Sequence, residues 1–457
     1  MTGLWTAADI AAATGGVASA DFTVGGVTFD SREVGPGDLF LALKGEVTDG
    51  HRFIDAAFAQ GAAGALVSSP VPHPHILVKD TTAALNALGV AARARVSAKI
   101  AGVTGSVGKT GTKEALAAAL ARAQRGPVHR SVKSYNNHTG VPLSLARMPA
   151  DTQFGVFEMG MNHAGEIAGL TRLVRPHVAV ITAIAPAHIE NLGSMAAIAD
   201  AKGEIFQGLE PGGTAIVPYD TPHRDQLIAH ARAYAEKVIT FGRQAGADVY
   251  PRDVLASDKG TLVTAVLPGV DLSFTLAQPG DHWVSNAMAV LAAVQALGGD
   301  LAAAGLSFAE MEGLAGRGAR HRIATAGGSA LLIDESYNAN SVSMAATLAM
   351  LGAVPARRRI VVLGEMRELG AESEALHAGL AQPVLDAGVE TALLVGPGMA
   401  PLAAALGTKI RVEHLPDAAS ALERVRGLVD ADDAVLVKGS NAVGLARVVA
   451  GLISGED

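Results

Sequence analysis

The sequence contains no cysteine. Disulfides, thiolate nucleophiles and cysteine-held zinc or iron–sulfur centres are therefore excluded. Long basic runs are also missing. RAQRGPVHRSVK and PARRR are short and read as solvated faces, and 44 acidic against 36 basic residues leave a net charge of −8. Nucleic acid as a main partner is not expected, because phosphate-backbone binding needs a concentrated positive surface. No run of about eighteen uncharged apolar residues is present, which argues against a membrane span. MTGLWTAADIAAATGG lacks a basic start and a continuous apolar segment, so it does not read as a signal peptide. The expectation is a soluble cytoplasmic protein with no membrane insertion. Aromatic residues are only 4 % and charged residues 18 %, but 49 % of the chain is hydrophobic. That is ample for buried cores and unlike a disordered chain.

The length, 457 residues, corresponds to about three domains, which the pattern places at 1–82, 83–315 and 316–457. In the first, GDLFLAL and GALVSS read as strands around a helix over 51–62. From 98 onward KIAGVTG, FGVFEMG, PHVAVITAI and GGTAIVPYD alternate with helices. Runs apolar on both faces indicate a parallel sheet covered on both sides. Short strands follow (VITFG, DVYPRDVLA, LVTAVLPG, VDLSFTLA), then a helix over 283–297. Near RGARHR the character resets, and ALLIDES, RIVVLGE, TALLVG, KIRVEHL and DAVLVKGS make a second alternating α/β set. The fold class is α/β, with a central phosphate-loop parallel-sheet domain and a Rossmann-like C-terminal domain.

The central strand runs into TGSVGKTGT, residues 104–112. Gly105 and Gly108 permit a tight turn whose N–H groups converge on phosphate. Lys109 supplies positive charge to the terminal phosphates, and Thr110 offers a hydroxyl to Mg²⁺ at a helix start. The strict G-x-x-x-x-G-K-[ST] pattern is missed, since its first glycine falls on Val103. FEMG places Glu158 at the end of an apolar strand, where the open edge of a parallel sheet collects ligands. AVITAIAPAHIE brings His188 to the same rim from what is expected to be the adjacent strand. These two side chains suit a second Mg²⁺, although a loop acid and a surface histidine would read the same way. Lys202 lies inside the moderately apolar MAAIADAKGEIF, where an ordinary lysine would snorkel to water.

These segments, together with NNHTGVPLSLARM, EMGMNHAGEI, AHIENLGS, DESYNANSVSM, LGEMRELG and LVKGS in this order, resemble the Mur ligase family, the ATP-dependent amide-forming enzymes of peptidoglycan synthesis. The resemblance spans nearly the whole chain. It implies that Thr104, Gly105, Ser106, Val107, Gly108, Lys109 and Thr110 bind the ATP phosphates. It further implies that Thr110, Glu158, His188 and a carbamylated Lys202 hold two Mg²⁺ ions, and that Lys109, Glu158, His188 and Lys202 form the catalytic set. Asn136 and Asn137 match a pair near the phosphates and base, and His282 and Asn286 match an adenine-side segment. Arg317 and Asp334 look like nucleotide contacts near the start of the last domain. Ser31 and Arg32 lie where the family grips the uridine nucleotide, and Asn338 and Asn340 stand beside Tyr337 as further substrate contacts.

DESYNANSVSM stands where a diamino-acid-adding relative carries D-N-P-R. Within the family this favours a member joining D-alanyl-D-alanine to UDP-N-acetylmuramoyl-tripeptide, expected as a monomer. The substrate carboxylate would attack the γ-phosphate of ATP, and the amine would then displace phosphate from the resulting acyl phosphate. Closure of the last domain, hinged at the glycines around 316–318, would exclude water. Three departures from the family pattern stand out: Gly111 in place of a threonine, Trp283 in place of an asparagine, and Asn441 where arginine is common. The rival readings are a relative such as the diamino-acid or folate polyglutamate ligase, and a nucleotide-gated binding protein without ligation activity.

Overall fold

A computed structural model of the protein describes residues 3–45, 48–257 and 260–455. Three sheets carry the architecture. The first has five strands, ordered Val17–Ala18, His75–Leu77, Gly64–Val67, Asp38–Leu41, Gly26–Thr28. Helix Thr81–Ala94 leaves this unit and packs on helix Gly140–Ala146, so Leu85 and Leu88 share a core with Leu143. The expected helix over 51–62 is shorter. It opens as a 3₁₀ turn, Gly50–Phe53, under an Asp49 cap and is α-helical only over Ile54–Ala59.

The central sheet is parallel, with six strands ordered Lys237–Phe241, Thr214–Pro218, Val178–Ile181, Lys99–Thr104, Phe154–Glu158, Val128–Arg130. Phe154–Glu158 and Val178–Ile181 are buried at every residue, as their unbroken apolar character requires when helices cover both faces. Glu158 and His188 therefore do not come from adjacent strands. Strand Lys99–Thr104 lies between the strands that precede them, pairing Val103 with Glu158 on one side and with Val180 on the other. The chain runs to one side of this strand and then to the other, which makes its C-terminal end a switch point where ligands collect. Helix Asp281–Ala296 packs along helix Lys109–Arg122, and both are lined inward by Ala, Leu and Val. Tyr250–Ser257, Gly260–Leu267 and Val270–Leu276 form a separate antiparallel sheet.

RAQRGPVHRSVK is not simply a solvated face. Its VHR is the edge strand Val128–Arg130, and the next residue, Ser131, is wholly buried. Three residues are too few to show a period, and flanking charge hid them. On this strand His129 bonds through Nε2 to the Ser144 carbonyl at 2.8 Å and packs its ring 5.8 Å from that of Phe157. Burial pushes its pKa from the usual 6.5 down to about 4. Because the folded-state value is the lower one, the neutral imidazole contributes stability fully above about 6.5. That contribution is lost as the pH falls from 6.5 toward 4. The loss should reach about 2 kcal/mol, short of the full shift because the residue keeps some exposure. Unfolding midpoints measured down this pH range should fall less steeply in His129→Gln, which keeps an N–H donor for Ser144.

The last sheet orders Ala319–Thr325, Gly328–Glu335, Ala434–Lys438, Arg359–Gly364, Thr391–Val395, Arg411–Leu415. It is parallel except for its first strand, which pairs antiparallel with Gly328–Glu335. That strand is the ARHRIAT segment, an exposed edge whose polar residues conceal it from a hydrophobicity reading.

Candidate active site

The phosphate loop is held from the neighbouring strand end. Thr182 Oγ1 donates to the Val107 carbonyl at 2.5 Å, and Ser106 N donates to the Ala183 carbonyl at 2.8 Å. A Cβ at Gly105 (φ +149°) would fall 1.9 Å from Thr182 Oγ1, so only glycine permits this approach. Gly108, at φ +84°, turns the chain into helix Lys109–Arg122. Lys109 Nζ folds back to the Gly105 carbonyl at 2.6 Å. The backbone thus forms a concave set of amides at a helix N-terminus, the arrangement that binds phosphate.

Glu158 is fully buried at the base of this loop. Thr110 Oγ1 donates to its Oε2 at 2.8 Å, Asn136 Nδ2 donates to its Oε1 at 2.7 Å, and its own N–H donates to Ser131 Oγ at 3.1 Å. Lys202 is 1 % exposed, and its side chain makes no hydrogen bond or ion pair among the described residues. Burial, reinforced by the charge of Lys109, holds its pKa well below the usual lysine range. Lys109 is also lowered by burial, with Glu158 opposing and Arg317 adding to the shift. His188 sits at φ +60° with Nδ1 against the Glu368 carboxylate of the last domain. Burial lowers its pKa, Glu368 opposes, and Lys109 and Lys202 add to the effect.

A cleft of about 410 Å³ opens above these groups between the central and last sheets. Ser106, Val107, Gly108, Lys109, Asn136, Asn137, Glu158, His188, His282, Asn286, Arg317, Asn338 and Asn340 all line it. Thr104, Gly105, Thr110 and Lys202 lie beneath that lining, buried. His282 and Asn286 are one helical turn apart, and a Cβ on Gly108 would come within 3.0 Å of Asn286 Oδ1. Burial lowers the His282 pKa. Arg317 lies 4.2 Å over the Tyr337 ring and donates to Ser134 Oγ at 3.2 Å, joining the last domain to the central one. Asp334 stands behind the lining, accepting from Gly316 N at 2.6 Å and Ser336 Oγ at 2.6 Å. It fixes the Gly316 turn. Asn340 caps helix Ser341–Gly352. Ser31 and Arg32 are outside the cleft, in the first domain. The guanidinium of Arg32 is exposed and paired with Asp30, at 2.6 Å.

Several contributors escape a sequence reading. Lys113 is wholly buried and donates to the carbonyls of Ser131 and Lys133 at 2.8 and 2.9 Å. It thereby shapes the loop that carries Ser134 and Asn136. Lys133 on that loop pairs with Glu33 of the first domain. Lys438, singled out within LVKGS but given no role by the sequence, is 2 % exposed and reaches the Asn338 carbonyl at 3.0 Å and Glu335 at 3.3 Å. Glu368 lies within LGEMRELG, which was recognisable as a motif but carried no assigned role.

The donors present suit Mg²⁺. Among the described residues no three His, Cys, Asp or Glu side chains gather into a metal cage. Mg²⁺ bound with a nucleotide needs none, taking one or two protein ligands, waters and substrate phosphates. Thr110 and Glu158 offer one such set beneath the loop. His188 offers a second, to which Lys202, whose side chain has no partner among the described residues, would contribute if it took up CO₂ as a carbamate.

Residues 103–294 match the model of the Mur ligase middle domain, residues 320–441 that of the Mur ligase glutamate ligase domain, and residues 23–123 that of the Mur ligase family catalytic domain. The UDP-N-acetylmuramoyl-tripeptide–D-alanyl-D-alanine ligase of Escherichia coli is 37 % identical over 443 residues, covering 96 % of each chain. Its Bacillus subtilis counterpart is 36 % identical, covering 94 % of this chain and 93 % of its own. Among solved structures, MurF from Acinetobacter baumannii superposes with a TM-score of 0.84 at 30 % identity, covering 98 % of this chain and 99 % of that one. The MurF ligase of Thermotoga maritima, in complex with ADP, gives a TM-score of 0.77 at 26 % identity, covering 94 % and 97 %.

Proposed function

Because this chain belongs to the Mur ligase family, we propose that it joins D-alanyl-D-alanine to UDP-N-acetylmuramoyl-tripeptide, converting ATP to ADP and phosphate. It is an ATP-dependent ligase acting late in peptidoglycan precursor synthesis, with the family's three-domain fold. The observation carrying the specific reading is similarity over almost the whole length to ligases of that one specificity, including the first domain. No helix among the described residues is long and apolar enough to cross a membrane.

The residues divide the work. The loop amides of Ser106 to Thr110 and the Lys109 ammonium hold the β- and γ-phosphates and stabilise charge that grows on the transferring oxygens. His282 and Asn286 border the base side, while Ser31 and Arg32 take the uridine end in the first domain. Mg²⁺, when bound, supplies charge neutralisation at the phosphoryl oxygens and orients them. Glu158 positions the Thr110 hydroxyl for it. The substrate carboxylate attacks the γ-phosphorus as the bond to ADP breaks. The amine then adds to the acyl carbon, loses a proton and expels phosphate. Arg317, reaching Ser134 across the cleft, helps close the site against water, which would otherwise hydrolyse the acyl phosphate.

Phosphate release should be measured with ATP, Mg²⁺ and the UDP-tripeptide, with and without D-alanyl-D-alanine, and the product weighed. Turnover is expected only with both substrates, yielding the UDP-pentapeptide. Amide formation from the UDP-dipeptide and a diamino acid instead would transfer the assignment to the neighbouring ligase.

A further inference from the structure

Two departures from the family pattern meet in space. Gly111 is the third residue of helix Lys109–Arg122, directly after the phosphate-loop lysine and threonine. Glycine is a poor choice for a helix, since it has the most backbone freedom to lose. A Cβ built on it would lie 3.0 Å from Trp283 Cη2 and 3.5 Å from Cζ2. A threonine, carrying two further heavy atoms, would drive into the ring. The ring has little room to retreat, because Trp283 is 8 % exposed and belongs to the core cluster with Ala115, Leu116, Val284 and Ala287. Gly111 and Trp283 both line the cleft, so the indole edge fills the place a side chain at 111 would take.

Resting on the ligase reading above, we propose that Gly111 and Trp283 are a complementary pair, and that Trp283 is a positioning residue bracing the first turn of the phosphate-loop helix for the nucleotide. With asparagine at 283 the glycine leaves a void beneath the loop. With threonine at 111 the indole is displaced. Each single change should therefore harm the nucleotide site, and the two together should repair it. Chain topology keeps the effect local, because the uridine site lies in another domain.

Titration with Mg-ADP in the calorimeter tests the pair. Gly111→Thr and Trp283→Asn should each weaken binding by about tenfold, as contacting residues do when one partner changes alone. The double variant should return to within about threefold of the parent. The KM for the UDP-substrate should stay unchanged in every variant while the KM for ATP follows the binding loss. Multiplied losses of about a hundredfold in the double variant, or an equal rise in both KM values, would overturn the pairing. If Trp283→Asn does not fold, Gly111→Thr in a Trp283→Phe background decides the matter. The smaller ring should recover affinity relative to Gly111→Thr alone, and no recovery overturns the proposal.

Fluorescence adds a readout that a merely structural role would not move. The chain has two tryptophans, and Trp5 is tied to the Ala146 carbonyl and buried in the first domain's core. Mg-ADP should change the emission of the parent but not of Trp283→Phe, and an unchanged parent emission counts against the brace. Failure of the parent to bind Mg-ADP at all would remove the ligase reading and this proposal together. Intact binding with multiplicative losses would remove the pairing alone.

Discussion

Lys202→Ala should lower ligation on the order of 10³-fold, the scale seen when one preorganised electrostatic group is removed from an active site. The reason begins with burial. Lys202 is 1 % exposed with no carboxylate partner among the described residues, and its pKa is lowered well below the usual lysine range, because the protein interior penalises the charged form and Lys109 adds its charge. A neutral amine is the nucleophile that CO₂ requires. In the proposed carbamylation its nitrogen would form the N–C bond, a proton would leave, and a carboxylate-like group would stand where a second cation ligand is wanted. Two measurements separate this from simple loss of packing. Enzyme exchanged into CO₂-free buffer should lose activity and regain it with bicarbonate, and ¹³C-bicarbonate should yield a carbamate carbon signal in the parent that is missing from Lys202→Ala. Full activity without CO₂ would leave Lys202 as an uncarbamylated side chain.

Glu158→Gln should cost a similar factor, on the order of 10³-fold in kcat, with almost no change in stability. The amide can keep both side-chain hydrogen bonds of the native carboxylate. Its oxygen accepts from Asn136, and its NH₂ donates to Thr110 Oγ1 in place of the bond now running the other way. What disappears is the negative charge beneath the phosphate loop, and with it the hold on Mg²⁺ proposed for this residue. The Mg²⁺ concentration for half-maximal rate should rise while the melting temperature stays within a degree or two of the parent. A large fall in melting temperature would instead identify Glu158 as a structural acid whose charge balances Lys109.

Comparison of these sites with the sequence shows what kinds of information are local. TGSVGKT announces its own conformation, because the glycines are required where no side chain fits: Gly105 against the Thr182 hydroxyl, Gly108 turning at φ +84° into the helix. The central strands are equally plain, since burial on both faces forces continuous apolar runs. Edge strands are not. Val128–Arg130 and Ala319–Thr325 carry charge because one side of each faces solvent, and their length or polarity removed the signal. The expectation that Glu158 and His188 come from adjacent strands failed for a related reason, because parallel strand order depends on crossovers whose partners are distant in the chain.

What the sequence by itself determined is the chemistry on offer: a phosphate loop, a carboxylate at a strand end, an imidazole in the loop after another strand, a lysine in an apolar helix, and no cysteine to supply a covalent route. Those follow from residue type and spacing over a few turns of chain. Only the tertiary structure decided how they meet. It left the Lys202 side chain without a carboxylate partner among the described residues, buried Lys113 to shape the loop bearing Asn136, faced Glu368 toward His188 and pressed Trp283 against Gly111. Each of these depends on contacts between residues far apart in sequence, where desolvation and close packing rather than local propensity set the energy.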